Sequence, residues 1–477
     1  MNPTSTDGIT TALATLTIET AETDIPENAY SAAKIALLDA LGCAFAGHNA
    51  PGVQSVVELA KHWGGREEAG LWFHGGRVPA PAAAFVNSTQ LHAMDFDDYH
   101  PPSGSHITSV VVPAVLAAAK VNDASGRQTL AALVLGIEVV GRVGRACMAR
   151  QDHCGFLPAS VVGGFGAAAA ACRLLHCTVE QTVNALGIWY AHASGNRQAL
   201  FDRTLTKRIQ PAIAARAGVF AACLAVRDFT GPSRIIGDQP ASLTKIFGYT
   251  GGGNAPPPTV GEIMAPRATW AVEELLYKRF ACCGVSNNAI RAASALAAEH
   301  DLALGQIREV RIFGGCVNSP FGGVAWDDTP TPHVLAQFCV PYAAASAFRN
   351  RRYGPTEISP ERIAQDRQVD ALARRIRLCD WSEWSGPRPD KGATTLQVFL
   401  TDGRKLECSR SGRGLMRSPD DNTEIHEKFT ANVTFSGLID ENAAARAIQA
   451  VLELENVERI SDFIRDQLLS VRELDMA

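Results

Sequence analysis

The chain has few aromatics, no run of basic residues, no C-x-x-C pair and no low-complexity tail, and each shortage removes a class of explanation. Charged residues make up 19% of its 477 residues, with a formal net charge of −5. No dense Lys/Arg patch stands against that balance. The Arg349–Arg352 stretch is short and reads as a solvated helix end, so no nucleic-acid partner is expected. Twelve cysteines are scattered along the chain, and the only tight group is the adjacent pair Cys282 and Cys283. That is no disulfide framework, and a reduced, cytoplasmic protein is expected. The first twenty residues lack the basic and apolar regions of a signal peptide. The alanine-rich runs are broken by polar residues too often to span a bilayer, so no membrane partner is expected either. Gly163–Ala170, GGFGAAAA, does not match G-x-G-x-x-G and follows no strand, and no Walker-type loop occurs. Close helix packing is the expected role of those glycines.

What is present is a core-forming composition, 46% hydrophobic with only 7% aromatic, which favours closely packed helices. The length suits two or three domains. Asp24 is placed to cap a helix, Pro26 to sit in its first turn and Gly47 to stop it, with Ile35, Leu38 and Leu41 at helical spacing between. Further helices are predicted over Gln128–Met148, Val161–Leu175 and Val179–Ala193. A Gly/Pro-rich loop over Gly248–Pro266 precedes a change of character. After a helix near Asn287–Glu299, Ile307–Phe313 alternates as a strand does. Thr394–Leu400 and Arg404–Ser409 flank Thr401-Asp402-Gly403, a hairpin with an Asp-Gly turn. Thr423–Leu469 returns to amphipathic helix. The reading is a mainly α protein: a discontinuous all-helical domain from 1–268 and 412–477, interrupted by a smaller α+β domain over 269–411.

One stretch concentrates polar chemistry inside apolar sequence. Leu91–Ala114 reads LHAMDFDDYHPPSGSHITSVVVPA, with Asp95, Asp97 and Asp98 in four residues, then Tyr99, His100 and His106. Acids and imidazoles between segments that want to be buried are costly unless paired or used. For any one residue, helix capping by Asp95 or Asp97, or a solvated histidine, is the plain explanation. For the cluster it is not, because capping needs one acid rather than three. Two lysines also enter apolar surroundings, Lys207 in LTKRIQPAIAARAG and Lys278 in LLYKRFACCG. Each either snorkels to water or meets an anion.

The block His92-Ala93-Met94-Asp95-Phe96-Asp97-Asp98, a Pro-containing loop, His106 and then Pro113 resembles the signature of the MmgE/PrpD superfamily. That group includes 2-methylcitrate dehydratases, cis-aconitate decarboxylases and iminodisuccinate epimerases. KIALLDALGCAFAG is similar to its first long helix, and the lysine-bearing blocks match at Lys207 and Lys278. The resemblance covers nearly the whole chain. It implies a large helical domain with a smaller lid, a cleft between them and a dimer.

The resemblance further implies that Asp95, His106, Lys207 and Lys278 share one pocket, with Tyr99 beside them. Substrates of such enzymes are small di- and tricarboxylic acids, so lysines hold carboxylates and stabilise an enediolate-like carbanion. A histidine or aspartate moves the proton alpha to a carboxylate. No cofactor is required by that scheme. The expected function is therefore a cofactor-independent lyase, dehydratase first. A dicarboxylate epimerase is the runner-up, and decarboxylation or inactive binding of an acidic metabolite are further alternatives.

The sequence departs from the family pattern at four places, one being a loop to His106 one residue longer than in cis-aconitate decarboxylases. Tyr99 replaces the usual small hydroxyl residue. Phe156-Leu157-Pro158 stands where a histidine is common, leaving His153 as the nearest imidazole. Phe321, Val324 and Trp326 occupy the region of the decarboxylases' lid tyrosine. The missing imidazole and phenol weigh against decarboxylation, and they leave an anion site with a more apolar wall, fit for fewer carboxylates or a bulky apolar arm. A metal held by Asp95, Asp97, Asp98, His100 and His106 is the minority alternative, because the spacing matches no compact site.

Overall fold

A computed structural model describes residues 4–6, 8–148, 155–248, 257–319, 322–385, 387–390, 392–412 and 414–463. His153 and Phe321 lie outside the described residues. The helices that place the site are α1 (Glu27–Gly47), α2 (Ala80–His92), α3 (Thr108–Val121), α4 (Gly126–Met148), α5 (Pro158–Leu174) and α6 (Thr206–Ala225). α5 is the hub, with α3, α4 and α6 all packed on it. Its residues are buried almost all round, as an apolar helix without a polar face requires. The predicted close packing is met at Gly166 and Gly136. A Cβ on Gly166 would stand 2.3 Å from the Gly136 carbonyl oxygen, so neither position admits a side chain without parting α5 from α4.

α1 begins at Glu27, and Asp24 ends a short 3-10 turn instead of capping it. Pro26 disfavours helical backbone at the residue before it, and Ile25 is indeed extended with ψ 120°. The helix ends at Gly47 as predicted. α1 is long and apolar enough to cross a bilayer, but its most apolar window is 89% buried within the protein. It is a core helix.

The second unit begins at β1 (Leu276–Lys278). It continues through α7 (Asn287–Glu299), β2 (Ile307–Phe313), α8 (Val340–Asn350), β3 (Ile376–Cys379), β4 (Thr394–Leu400), β5 (Lys405–Arg410) and β6 (Leu415–Arg417). Four strands form one sheet in the order β3-β2-β4-β5, with β2 parallel to β3 and antiparallel to β4. β4 and β5 form the predicted hairpin, with Gly403 at φ +90° in its turn. α7 packs on β4, β5 and α8. The architecture is thus mainly α with a smaller sheet-containing unit.

The entering strand β1 pairs antiparallel with the leaving strand β6, placing Lys278 opposite Leu415. Beyond β6 the chain returns to helix in α9 (Asn422–Ser436), which packs on α1 through Ile425, Phe429 and Val433. The predicted long tail helix is broken at Gly437, whose φ of +69° closes α9 with a left-handed cap. A further helix follows over Glu441–Leu452.

Candidate active site

The acidic stretch is the irregular link between α2 and α3, and every acid in it is buried. α2 ends at His92, and Asp95 then turns the chain with φ +51°, a left-handed conformation that Asp tolerates better than most residues. Asp98 is the capping acid: its carboxylate accepts from the backbone N–H of Ile107 at 3.2 Å and of Thr108 at 2.9 Å, at the start of α3. The Thr108 hydroxyl adds a third bond at 2.5 Å. Inside α3, Pro113 cannot donate to the Ser109 carbonyl, and the Ser88 hydroxyl from α2 donates there instead at 2.5 Å. Capping therefore accounts for one of the three aspartates.

Asp95 meets both lysines. Lys207, in the first turn of α6, pairs with Asp95 Oδ1, and Lys278, at the end of β1, donates to Oδ2 at 2.8 Å. Lys278 also donates to the Asp95 carbonyl oxygen at 2.7 Å. Burial opposes ionisation of Asp95, yet Lys207 and then Lys278 hold its carboxyl well below the usual carboxylate range. Lys278 is correspondingly held ionised: burial disfavours its charge, and Asp95 more than restores it. Both ammonium groups are therefore buried against an anion and do not snorkel.

Asp97 points to the imidazoles. Its carboxylate takes the Nδ1–H of His92 at 2.8 Å and stands 3.5 Å from His106 Nδ1. Burial opposes the charge on Asp97, but His92 and His106 hold it below the usual range. Because His92 Nδ1 donates to a carboxylate, its Nε2 carries the lone pair, and the Lys207 ammonium donates to it at 2.7 Å. His92 thus links Asp97 to Lys207. His106 Nδ1 lies 2.7 Å from the Asp98 carbonyl oxygen, which can only accept, so Nδ1 carries the proton. Burial first, then Lys278, pushes the His106 imidazolium down to about 3. At neutral pH the ring is uncharged, and Nε2 is its basic atom.

These groups line one cavity of about 460 Å³. His92, Asp95, Tyr99, His106, Lys207 and Lys278 all reach it. The Tyr99 backbone pairs with Leu276 beside β1, and its ring centroid lies 6.1 Å from that of His106. The lining also includes the apolar Leu157, Pro158, Leu200, Val285, Phe338 and Leu415. Both units contribute, so the cavity is a cleft between them.

All five residues predicted for the site are therefore brought together. Three others are not. His100 is buried elsewhere, between Ser103 Oγ at 2.8 Å and Glu274 Oε2 at 3.2 Å. Trp326 stacks on Tyr342 and donates to Asp370, and Val324 lines a separate small cavity. The five groups of the metal alternative do not converge, since His100 is turned away and Asp98 is occupied by α3. His92, Asp97 and His106 do offer ligand atoms within 4.8 Å of one another. There, however, His92 and His106 each direct an Nδ1–H at an oxygen, and the ammonium groups of Lys207 and Lys278 adjoin the cluster. That donor set is arranged for protons and anions.

Sequence reasoning missed three residues. His92 was in the quoted block, but its contact with Lys207 spans 115 positions. Arg197 adds a third cation to the lining. Lys428, on α9, supports the link from behind, donating to Asp39 Oδ1 and to the Phe96 carbonyl oxygen, each at 2.7 Å. Nothing local in EIHEKFTANV signals that reach.

With this geometry in view, comparison with known proteins places the chain in a class. The MmgE/PrpD N-terminal domain matches residues 11–250 and the MmgE/PrpD C-terminal domain matches 280–456, so the chain belongs to the MmgE/PrpD family. It is a lyase of that family's type. Its relatives include the cis-aconitate decarboxylase-like protein oryM of Aspergillus oryzae, 27% identical over 474 residues, with 96% of each chain covered. Cis-aconitate decarboxylase of Aspergillus terreus is 25% identical, covering 96% of this chain and 95% of its own. The Homo sapiens cis-aconitate decarboxylase is 28% identical over 89% of this chain and 87% of its own.

Proposed function

We propose that this chain eliminates water, without a cofactor, from a small hydroxy acid bearing one or two carboxylates and an apolar arm. The observation that carries this reading is the fixed tautomer of His106. Its Nδ1–H is tied to the Asp98 carbonyl, leaving Nε2 as a neutral base in a cleft that also holds two ammonium groups.

An ammonium has three N–H donors. Lys278 uses two on Asp95, and Lys207 uses one on Asp95 and one on His92, so each retains one for a substrate carboxylate. His106 Nε2 takes the proton from the carbon alpha to that carboxylate, and the electron pair spreads onto oxygens facing the lysines. As the C=C bond forms, the beta C–O bond breaks. The hydroxyl leaves as water with the Tyr99 phenolic proton, which His106 then restores.

Charge limits the substrate. With both imidazoles neutral, Asp95 and Asp97 offset the charges of the two ammonium groups. A tricarboxylate would meet too little positive charge, whereas Leu157, Leu200, Val285 and Phe338 suit an alkyl arm.

Decarboxylation is the second reading, favoured by the names of the relatives. Epimerisation needs the same carbanion and a proton returned on the opposite face. A panel of hydroxy di- and tricarboxylates, with and without alkyl arms, incubated in deuterium oxide separates these outcomes. Water loss with deuterium exchange supports the proposal, carbon dioxide release replaces it with the second reading, and binding without turnover or exchange makes the chain an acidic-metabolite binder. We further propose a homodimer in a reducing, cytoplasmic compartment. The eleven free cysteines among the described residues favour that compartment, and sedimentation tests the dimer.

A further inference from the structure

A second cavity, of about 350 Å³, is lined by residues adjacent in the chain to those of the active cleft. Arg208, which directly follows Lys207 on α6, lines it, as does Met94, the residue before Asp95. Gln337, also in its lining, donates from its side-chain amide to the Ala93 carbonyl oxygen at 3.0 Å. The cavity therefore backs onto the same turn that carries Asp95, and like the cleft it is built from both units.

Arg208 is its unusual feature. The residue is only 4% exposed, yet it makes no ion pair among the described residues. Its hydrogen bond runs from a guanidinium N–H to the Pro51 carbonyl oxygen at 2.6 Å. A buried guanidinium paired with one carbonyl is incompletely compensated, because burying a charge is costly unless it is paired. Burial accordingly pulls Arg208 down to about 10, with no neighbouring carboxylate restoring it. A second observation points the same way. His333, in the lining too, has a buried Nε2 with no hydrogen-bond partner among the described residues. Asn49, Ser359 and Ser436 add neutral polar groups to the wall, and His48 lies there with its charged form disfavoured by burial. Glu361, an exposed residue, is the one acid in the lining.

We propose that this cavity is a second binding site, separate from the active cleft, for a small oxyanion, carboxylate or phosphate, held by the Arg208 guanidinium and the His333 ring. The assignment does not depend on which reaction the cleft performs.

Calorimetric titration of the full chain with inorganic phosphate and, separately, with succinate tests it and distinguishes the two oxyanion classes. Losing one charge-assisted contact weakens binding by about 10–150-fold. Arg208→Gln should therefore lose phosphate or succinate binding to that extent, and His333→Gln should weaken it. The titrations are repeated in Lys278→Met, which weakens the active cleft's own hold on anions, and the Arg208-dependent binding should remain there. Thermal unfolding of each variant checks the fold. If Arg208→Gln does not fold, unchanged binding in His333→Gln overturns the proposal. So do binding that persists when Arg208→Gln is combined with Lys278→Met in a folded chain, or no binding of either probe up to about 10 mM.

Discussion

Replacing Lys278 by methionine removes one charge from the centre of the cleft while keeping the stem's packing. In the native chain the Lys278 side chain is 3% exposed and its ammonium makes two bonds to Asp95, at 2.8 and 2.7 Å. Hydrogen bonds to charged groups contribute about 1.5–3 kcal/mol each, and breaking a buried ion pair outright costs about 3–5 kcal/mol. Asp95 retains Lys207, so it is not orphaned, and a loss of roughly 2–4 kcal/mol is expected. The contact to substrate is separate. Removing it should raise KM by about 10–150-fold, and kcat should fall as well if the bond strengthens as carbanion charge develops.

The variant also carries a pH signature. The folded-state carboxyl of Asp95 is depressed, so its contribution to stability is present above the unfolded value and lost as pH falls through the folded one. Without Lys278 the folded value rises, and the acid loss of stability moves to higher pH. Steady-state kinetics and urea unfolding across the acid range read both effects. Wild-type KM and kcat in a stably folded Lys278→Met would refute the anion-site reasoning.

Other outcomes follow from the same contacts. Lys428→Met leaves Asp39 buried without its partner, so urea unfolding should show a loss of about 3–5 kcal/mol at pH 8. The penalty should shrink at pH 5, because burial already raises the Asp39 carboxyl and a protonated acid needs no counterion. Leu157→His puts an imidazole on the apolar wall, and kcat/KM should fall for alkyl-bearing substrates relative to unbranched ones by roughly 10-fold or more. Equal effects on both would remove Leu157 from specificity. The basic form of His106 persists down to about 3, so kcat/KM should show its acid limb near that pH instead of near the ordinary imidazole value of about 6.5. Dialysis against a chelator should leave turnover unchanged, and loss that added metal restores would revive the minority ligand reading.

Much of this molecule was legible in the chain because its signals are local. β2, α7 and β4 fall at their predicted bounds, where period-2 or helical patterning is strong. Asp95, Tyr99, His106, Lys207 and Lys278 stood out as polar groups in apolar sequence, and their sharing of one pocket was implied by the family resemblance. What was not legible is the pairing itself. The chain shows three aspartates within four residues, but not that Asp98 caps α3, Asp97 serves two imidazoles and Asp95 two lysines. Those roles are fixed by contacts across five to nearly two hundred positions. His100 looks like His106 in sequence, yet its ring meets Ser103 and Glu274 instead of the cleft. Lys428 and Arg208 are ordinary helical cations until the fold buries them.

The central claim is that neutral His106, through Nε2, moves the proton alpha to a substrate carboxylate. The direct measurement is the rate of deuterium incorporation from solvent into that carbon, for wild type and His106→Gln, with whichever acid of the panel is turned over. The account predicts a fall of roughly 10²–10⁴-fold in exchange, with substrate affinity and thermal unfolding close to wild type. Exchange at the wild-type rate in a folded His106→Gln would contradict it and move the proton-transfer role to another group in the cleft, Tyr99 first.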